Sequence, residues 1–294
     1  MNSWNVMDCD SFNRKNVAAL LLASACFLIF YQAILVDLVR DWIKDDNYSH
    51  GFLIVPLALF FVWERRQRFV QAPPNPSLWG VVFFLLGIVA TVLNMHPFVN
   101  RMAMLLCLAG GLLFIFGWRR LKVMTFPIAF LLLMIPLPAV IFNPVTFPLQ
   151  LLSSRFGEWA LTACRIPVLR EGNIIQLANT SLEVAEACSG IRSLISLLTL
   201  AIVYGYFVES RIWIRIALAL AAVPVAIAAN ACRVAGTGLA AHYYGAEAAE
   251  GFFHAFSGWL VFVVAFAMLF VLHRCFLLWN TAEKRVAADT VSKL

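Results

Sequence analysis

Three side chains of this 294-residue sequence have the chemistry needed to make and break an acyl bond together. Cys188 lies in Glu-Ala-Cys-Ser-Gly-Ile-Arg, Arg233 in Asn-Ala-Cys-Arg-Val, and His254 in Gly-Phe-Phe-His-Ala-Phe-Ser-Gly-Trp. A thiol attacks as the thiolate, and an imidazole takes up its proton and later gives one to a leaving amine. A guanidinium stays charged and offers a fork of donors to an oxyanion or a carboxylate. If the fold brings them together, they predict nucleophilic acyl transfer.

Each of these residues also has an ordinary explanation when it is taken alone. A single cysteine at the end of a span is usually structural, and a terminal arginine usually anchors a helix at the interface. His254 follows two phenylalanines and fits an aromatic interfacial belt. Cys232 is a rival nucleophile, but it is expected at a helix C-terminus, where the helix dipole raises the pKa of a thiol. Cys188, at the start of a helix, is therefore the preferred nucleophile.

Three further polar residues are candidates for supporting this site. Arg192 follows Cys188 by four residues, so it lies on the same helix face and would favour the thiolate. Asn230 precedes Arg233 by three residues and would orient its guanidinium. Glu186 would pair with Arg233, Arg192 or His254. The alternative for each is an ordinary polar residue at the water interface.

The composition is that of a polytopic membrane protein. Apolar residues make up 62% of the chain, charged residues 13%, and the mean hydropathy is +0.84. Soluble domains carry about 25% charged residues, so a cytosolic enzyme, a nucleic-acid binder and a disordered chain are excluded. The net charge of +6 is explained by basic loops on the cytoplasmic side, and no nucleic-acid partner is expected.

The predicted fold class is an all-α polytopic membrane protein, a bundle of about eight transmembrane helices in one integral membrane domain over residues 1–294. A helix needs about 20 apolar residues to cross the bilayer. Runs of this kind lie near residues 17–36, 51–64, 78–95, 100–117, 121–141, 188–207, 212–231 and 254–275. The first is interpreted as an anchor, because no convincing cleavage site follows it.

The distribution of Lys and Arg predicts the orientation of these spans. With both termini in the cytoplasm, fourteen of the 22 basic residues fall on the cytoplasmic side. This arrangement puts Cys188 at the outer start of span six, Arg233 at the outer end of span seven and His254 at the outer start of span eight. Hydropathy and charge together therefore bring all three to one membrane face, in the catalytic spans 188–275.

Residues 142–187 form a long connection on the predicted outer side. The segment 149–161 carries apolar residues at helical spacing and predicts an amphipathic helix lying in the interface. After Pro167, two short apolar runs around a polar turn predict a small β-hairpin. Long connections with their own structure are usually functional, so we expect this insertion to cover the site.

A weaker signal lies in the segment from Asp45 to Gly51, Asp-Asp-Asn-Tyr-Ser-His-Gly. Its Tyr48-Ser49-His50-Gly51 part fits either a metal- or peptide-binding patch or a solvated loop before the second span. The seven cysteines form no Cys-x-x-Cys pair and have no metal-ligand spacing. No metal site and no cofactor are predicted.

The motifs around Cys188, Arg233 and His254 resemble those of the exosortase/archaeosortase family of transmembrane cysteine transpeptidases. The resemblance rests on Glu186-Ala-Cys-Ser-Gly-Ile-Arg-Ser193, Asn230-Ala-Cys-Arg233, His254 and the upstream Tyr48-Ser-His-Gly-Phe-Leu-Ile-Val-Pro56, and it covers roughly residues 40 to 275. It implies a catalytic triad of Cys188, Arg233 and His254. A histidine at the third position favours the bacterial branch, and hence the bacterial inner membrane with the active site on its periplasmic face.

The resemblance also implies the partners. The substrates would be exported, membrane-anchored proteins with a C-terminal sorting signal: a short Pro-Glu-Pro-like motif, a transmembrane helix and a basic tail. An envelope glycan or lipid would accept the cleaved chain. An acidic motif of the substrate would bind basic residues on the outer face. The competing explanation of these basic residues is that they anchor the interfacial helix. These residues are Arg155, Arg165, Arg170, Arg192 and Arg233.

Two functions without thiol chemistry remain as alternatives. A transporter or lipid flippase would use the same polar cluster as a midplane binding site, but the cluster maps to span ends and no inverted repeat is found. An envelope-polymer acyltransferase would also use a histidine and an arginine at the outer face. Whether blocking Cys188 abolishes activity separates both from the thiol enzyme.

Overall fold

The computed structural model describes residues 14–178, 181–183, 191–245, 259–260 and 262–278, with backbone alone at 14–17, 182–183 and 191–192. The described chain is mostly helical, as its apolar runs predict. Its contacts form two compact units, Met1–Pro136 and Leu137–Leu294. They are described separately, and the single domain over residues 1–294 stays a prediction.

The first unit is built from helices alone. It contains α1 (Arg14–Lys44), α2 (Gly51–Glu64), α3 (Arg66–Gln71), α4 (Trp79–Leu93) and α5 (Pro97–Phe130), with 3₁₀ turns at Asp46–Tyr48 and Leu131–Met134. Its interior is apolar and includes the fully buried Tyr31, Phe61 and Leu113. Most large side chains on the outer faces of α1, α2 and α4 are apolar and exposed, as expected for helices that face lipid.

Helix α5 reverses its direction at Gly117. The Trp42 indole Nε1 donates to the Met134 carbonyl at 2.9 Å, and the Arg101 guanidinium lies 2.6 Å from the Asp41 carboxylate. Since Asp41 and Trp42 are neighbours, residues 101 and 134 lie at one end of the unit, whereas a straight helix would separate them by about 50 Å. Gly117 has φ 81° and ψ 177°, a conformation essentially confined to glycine. The predicted boundary between spans four and five falls at this reversal.

The second unit combines helices with one small sheet. Its elements are α6 (Ala139–Ala163), β1 (Val168–Glu171), β2 (Ile174–Leu177), β3 (Ser181–Glu183), α7 (Ile191–Val208), α8 (Ile212–Tyr244) and α9 (Phe262–Leu278). The sheet has the order β1-β2-β3 with antiparallel pairing, Val168 opposite Leu177 and Ile174 opposite Glu183. The predicted hairpin corresponds to the antiparallel pair of β2 and β3, whereas its first strand is itself divided into β1 and β2 by a turn at Gly172 and Asn173.

Helices α7, α8 and α9 share an apolar core. Its buried members include Leu197 of α7, Leu218 and Ala222 of α8, and Ala265 and Leu269 of α9. A three-residue connection, 209–211, joins α7 to α8, which makes the two helices antiparallel neighbours. Bulky and small apolar residues alternate at this contact, so the three helices pack closely.

Helix α6 runs parallel to the second half of α8. Asn230 bonds to Ser153, Val234 packs on Gly157, and Gly238 packs on Leu161, so each contact advances by about one turn along both helices. A second buried cluster joins this helix pair to the sheet; it comprises Leu161, Ile166, Ile175, Leu177, Val234 and Ala241. The first half of α8 thus packs on α7 and α9, and its second half on α6 and the sheet.

Three helical stretches are long and apolar enough to cross a membrane: Ala18–Lys44, Pro97–Met134 and Ile212–Tyr244. Three shorter apolar helices are Trp79–Leu93, Ser193–Val208 and Phe262–Leu278. The predicted count of eight spans is not confirmed. The fifth predicted span, 121–141, is interrupted, because α5 ends at Phe130 and Pro136 and Pro138 precede a new helix.

The predicted helix over residues 149–161 is confirmed as a helix, and its position in the membrane interface stays a prediction. These residues belong to the single 25-residue helix α6, whose buried face carries Thr146, Gln150, Ser153 and Ser154. Its exposed face carries Val140, Phe147 and Trp159. The exposed side also includes the charged Arg155, whereas Ser153 and Ser154 on the buried side bond to Asn230 and Gly172 of the same unit.

Candidate active site

The described chain contains part of the predicted site. Arg233 and Asn230 are described with their side chains, whereas Cys188, Glu186 and His254 lie outside the described residues. Arg192 is described by its backbone, as the second residue of α7. The assignment of Cys188, Arg233 and His254 as catalytic residues therefore stays a prediction.

Arg233 lies within a helix and not at its end, contrary to the sequence prediction. Helix α8 continues from Ile212 to Tyr244, well beyond the predicted end near residue 231. Arg233 is half-buried at the point where α8 changes partners, between Ala229 in the core with α7 and α9 and Val234 in the core with α6. The helix persists there because α6 and the sheet pack against it.

The reason given for rejecting Cys232 also fails. Cys232 is exposed in the middle of α8, far from a helix C-terminus, so the negative end of the helix dipole does not act on its thiol. The preference for Cys188 now rests on the resemblance and on the predicted start of α7. An experiment on both cysteines is therefore needed to identify the nucleophile.

The starts of α7 and α9 lie at the same end of the α7–α8–α9 group as Arg233. Gly205 of α7 packs on Arg215 of α8, and from this contact Ile191 and Arg233 are about 21 and 27 Å away along antiparallel helices. Helix α9 is parallel to α7, because its residue His273 bonds to Tyr204 and its preceding residues enter the same core. The start of α7, the start of α9 and Arg233 are therefore at similar levels.

Asn230 makes a buried contact next to Arg233. Its Nδ2 donates to Ser153 Oγ of α6 at 2.9 Å, and the two residues are 1% and 2% exposed. Because residues three apart share a helix face, Asn230 and Arg233 are on the side of α8 that turns toward α6. Ser153 is a site neighbour that the sequence reasoning missed, although a serine pair within an apolar helix was a possible signal.

Arg170 and Ser154 bond the turn between β1 and β2 to helix α6. The Arg170 guanidinium donates to the Glu158 carboxylate at 2.7 Å and to the Gly172 carbonyl at 2.8 Å. Ser154 Oγ donates to the same carbonyl at 2.9 Å. The charge of Arg170 is thus already compensated, which supports a structural role for this arginine. Two other predicted binders, Arg155 and Arg165, are exposed and make no ion pair among the described residues.

The Asp45–Gly51 segment is tied to the end of α5 and is not simply a solvated loop. His50 Nε2 lies 3.1 Å from the Leu133 carbonyl, next to the Trp42–Met134 bond. Pro138 lacks the N–H group that would bond the Met134 carbonyl in a continuing α-helix, and the chain turns extended at Ile135, so the Leu133 carbonyl also loses its helical donor. The two side chains replace the missing donors. A carbonyl only accepts, so His50 Nε2 carries a hydrogen, and this contact supports an architectural role for the segment.

A second polar cluster lies at the other end of α7, α8 and α9. Tyr204 OH bonds to His273 Nδ1 at 2.9 Å, and His273 Nε2 lies 3.7 Å from the Glu209 carboxylate. The sequence reasoning missed this cluster, although a histidine inside an apolar run was a visible signal. Among the described residues, no group of three His, Cys, Asp or Glu side chains is suited to hold a metal ion.

Comparison with known proteins gives one family. The family model of the transmembrane exosortases matches residues 42–271, well over half of the chain. Searches of curated proteins and of solved structures found no match. The match covers α2 to most of α9, including the segments of Cys188, Arg233 and His254. The chain therefore belongs to the transmembrane exosortase family.

Proposed function

We propose that this protein is a cysteine endopeptidase and transpeptidase of the outer membrane face, with Cys188, Arg233 and His254 as its catalytic residues. Its substrates are exported proteins that carry a C-terminal sorting signal. The enzyme removes the transmembrane helix and basic tail of that signal and transfers the remaining chain to an acceptor. The proposed location is the bacterial inner membrane, with both termini in the cytoplasm.

The observation that carries this proposal is the common level of Arg233 and the starts of α7 and α9. Cys188 precedes Ile191, the first residue of α7, by three positions, and His254 precedes Phe262, the first residue of α9, by eight. Separations this short in sequence limit how far a residue can lie from the helix that it precedes. Family membership provides independent support for a thiol mechanism.

The proposed reaction has two acyl-transfer steps. The Cys188 thiolate attacks the scissile carbonyl while His254 holds the thiol proton, and the Arg233 guanidinium stabilises the negative charge on the carbonyl oxygen. The C–N bond then breaks, and the proton on His254 leaves with the new amine of the tail. The acyl thioester on Cys188 remains. In the second step an amine or hydroxyl of an envelope glycan or lipid, or water, gives its proton to His254 and displaces the thiol.

Processing of a tagged substrate tests the catalytic assignment. Cys188→Ala, Arg233→Ala and His254→Ala should each abolish removal of the tail, because each takes away a separate chemical role. Cys232→Ser is the matched control and should process at the normal rate. Full activity of Cys188→Ala would contradict the proposal, and loss of activity in Cys232→Ser alone would identify the other cysteine as the nucleophile.

Thiol labelling tests the side of the membrane and the reaction class. A membrane-impermeant alkylating reagent added to intact spheroplasts should label Cys188 and stop processing. A transporter, a flippase or an acyltransferase without thiol chemistry would keep its activity after complete labelling. Mass spectrometry of the new C-terminus of a processed substrate identifies both the cleaved bond and the acceptor.

A further inference from the structure

The cluster of Tyr204, Glu209 and His273 joins α7 to α9 at the helix end opposite to Arg233. His273 is 1% exposed and Glu209 is 7% exposed. His273 Nδ1 bonds to Tyr204 OH at 2.9 Å, and its Nε2 faces the Glu209 carboxylate at 3.7 Å, which is longer than a hydrogen bond. Buried polar groups are costly unless they are paired, so this cluster strongly favours one arrangement of the two helices.

The hydrogen positions of the cluster follow from its charges. Burial raises the pKa of Glu209, but the backbone N–H groups of Arg211 and Ser210, together with His273, hold that pKa below its usual value. Glu209 is therefore a carboxylate, which only accepts, and His273 Nε2 carries the hydrogen that faces it. Nδ1 then accepts the hydrogen of Tyr204.

The neighbouring arginines belong to the same corner of the structure. Arg215 donates to the carbonyls of Glu209 and Tyr206, and its guanidinium lies 5.1 Å from the centre of the Tyr206 ring. The backbone N–H of Arg211 donates to the Glu209 carboxylate at 2.9 Å. These contacts fix the connection between α7 and α8, so the cluster that holds His273 is rigid on the side of α7.

The rest of the contact face of α9 is apolar. Phe262, Ala265, Leu269 and Phe276 pack against α7 and α8, and with His273 they follow one another at intervals of three or four residues, a repeat of about seven. Apolar contacts have no direction, and a seam with this repeat loses little when one helix slides along another. A single buried polar residue specifies the register of such a seam. His273 is the residue of α9 that does this within the described chain.

We propose that His273 is a positioning residue, which with Tyr204 and Glu209 fixes α9 along its axis and thereby sets the depth of His254. The effect on catalysis rests on the proposed function, in which His254 transfers protons. The effect on the position of α9 does not, and it is measured separately. A shift of the helix by one turn would move its start by about 5.4 Å.

Spin-label distances test the position of α9 directly. Labels are attached to Gly236→Cys and Leu260→Cys in a background without native cysteines. A side chain at Gly236 meets nothing within 4 Å, and Leu260 is 44% exposed. His273→Leu should shift or broaden the distance distribution, and His273→Gln should restore it, because its amide both accepts and donates. A distribution unchanged by His273→Leu would overturn the proposal.

Kinetics in the otherwise native chain provide the second measurement. His273→Leu should lower the kcat of tail removal about 10- to 100-fold, the effect of a small misplacement of a catalytic group, and leave KM within about twofold. His273→Gln should recover most of the loss. Val271→Leu, an exposed position on the same helix, is the matched control. A fall in KM and kcat together, without rescue, would contradict a positioning role.

Tyr204→Phe covers the case in which His273→Leu does not fold, because it removes only one hydroxyl from the cluster. It should change the distance distribution in the same direction, and an unchanged distribution would count against the proposal. The two claims also fail differently. A native chain that processes no substrate refutes the proposed function, whereas a distance unaffected by the cluster refutes the role of His273.

Discussion

Asn230 Nδ2 donates to Ser153 Oγ across 2.9 Å, and this buried bond joins α6 to α8 one turn before Arg233. The bond joins the turn of α8 before Arg233, the proposed oxyanion donor, to a neighbouring helix, so it fixes the rotation of α8 about its axis. Polar side chains of this kind hold helices together where the surroundings are apolar. Asn230 therefore has a structural partner as well as a predicted catalytic neighbour.

Replacing Asn230 should affect both stability and rate. Asn230→Ala leaves the buried Ser153 hydroxyl without this donor, at a cost of about 1–3 kcal/mol in the free energy of unfolding. If Asn230 also orients Arg233, tail removal should slow at least about tenfold, or about 1.4 kcal/mol in the barrier. Unfolding in detergent and the rate of processing measure the two effects.

The matched variant for this prediction is Ser153→Ala, alone and combined with Asn230→Ala. If the bond is the main interaction, the double variant should be less destabilised than the sum of the singles, by about 0.5–3 kcal/mol. Additive losses would show that the two residues act independently. A normal rate in Asn230→Ala would leave the residue with a purely structural role.

Two arginines near the sheet should respond differently to charge reversal. Arg170→Glu places a second carboxylate beside Glu158 and breaks the bond to Gly172, so it should slow acidic- and neutral-motif substrates alike and lower the melting temperature. Arg155 is exposed and makes no ion pair within the described chain. Arg155→Glu should raise KM for an acidic motif alone, because only the attraction between charges is lost.

Steady-state kinetics with paired substrates, one acidic and one with the acid replaced by its amide, measure this difference. Arg165→Glu is a second exposed variant and should behave like Arg155→Glu. If neither reversal discriminates between the substrates, these arginines do not read the motif. If Arg170→Glu discriminates, its pairing with Glu158 is not maintained during substrate binding.

The sequence predicted that Arg233 and the starts of α7 and α9 lie at a common level, because span lengths and basic loops strongly constrain the direction in which each helix runs. Antiparallel neighbours with short connections alternate their ends, so the start of α7 and Arg233 had to come together. Arg65 and Arg120 also reach the carbonyls of Val123 and Ala72 at one end of the first unit. Charge segregation of this kind survives errors of several residues in the span boundaries.

The sequence failed where packing overrides hydropathy. The seventh span was predicted to end near residue 231, and the segment after it contains Gly236, Thr237 and Gly238, which lower its hydropathy. It is helical because α6 packs closely on Gly238. The burial of Ser153 and Ser154 in α6 was not predicted, because an amphipathic pattern gives the angle between two faces and not which face is buried.

A side chain at Gly117 should destabilise the first unit. A Cβ there would collide with the Asn75 carbonyl, and the backbone conformation alone costs about 1–3 kcal/mol for other residues. Gly117→Ala should therefore lower the melting temperature and the yield of folded protein in membranes. Gly111→Ala is the matched control, since its Cβ would meet only ordinary contacts. It should be neutral or gain up to about 1 kcal/mol from helix propensity. Equal losses in both variants would contradict a reversal at Gly117.

The contact of His50 with Leu133 should make the stability of the first unit depend on pH. Burial lowers the pKa of His50 below its ordinary value of 6.5. The unfolded chain keeps the ordinary pKa of 6.5, and the folded chain has the lower one, so between the two values the unfolded chain binds more protons. The free energy of unfolding therefore falls as the pH drops through 6.5, and it levels off below the pKa of the folded chain. His50→Gln should remove this dependence, because its amide keeps a donor for the Leu133 carbonyl and does not titrate.

Trp42→Phe is the matched comparison. It loses the buried bond to Met134, at about 1–3 kcal/mol, and should lower stability at every pH without changing the slope. Melting temperatures of the three proteins in detergent between pH 5 and 8, spanning the ordinary histidine pKa, measure both effects, and a slope that persists in His50→Gln would assign the titration to another group.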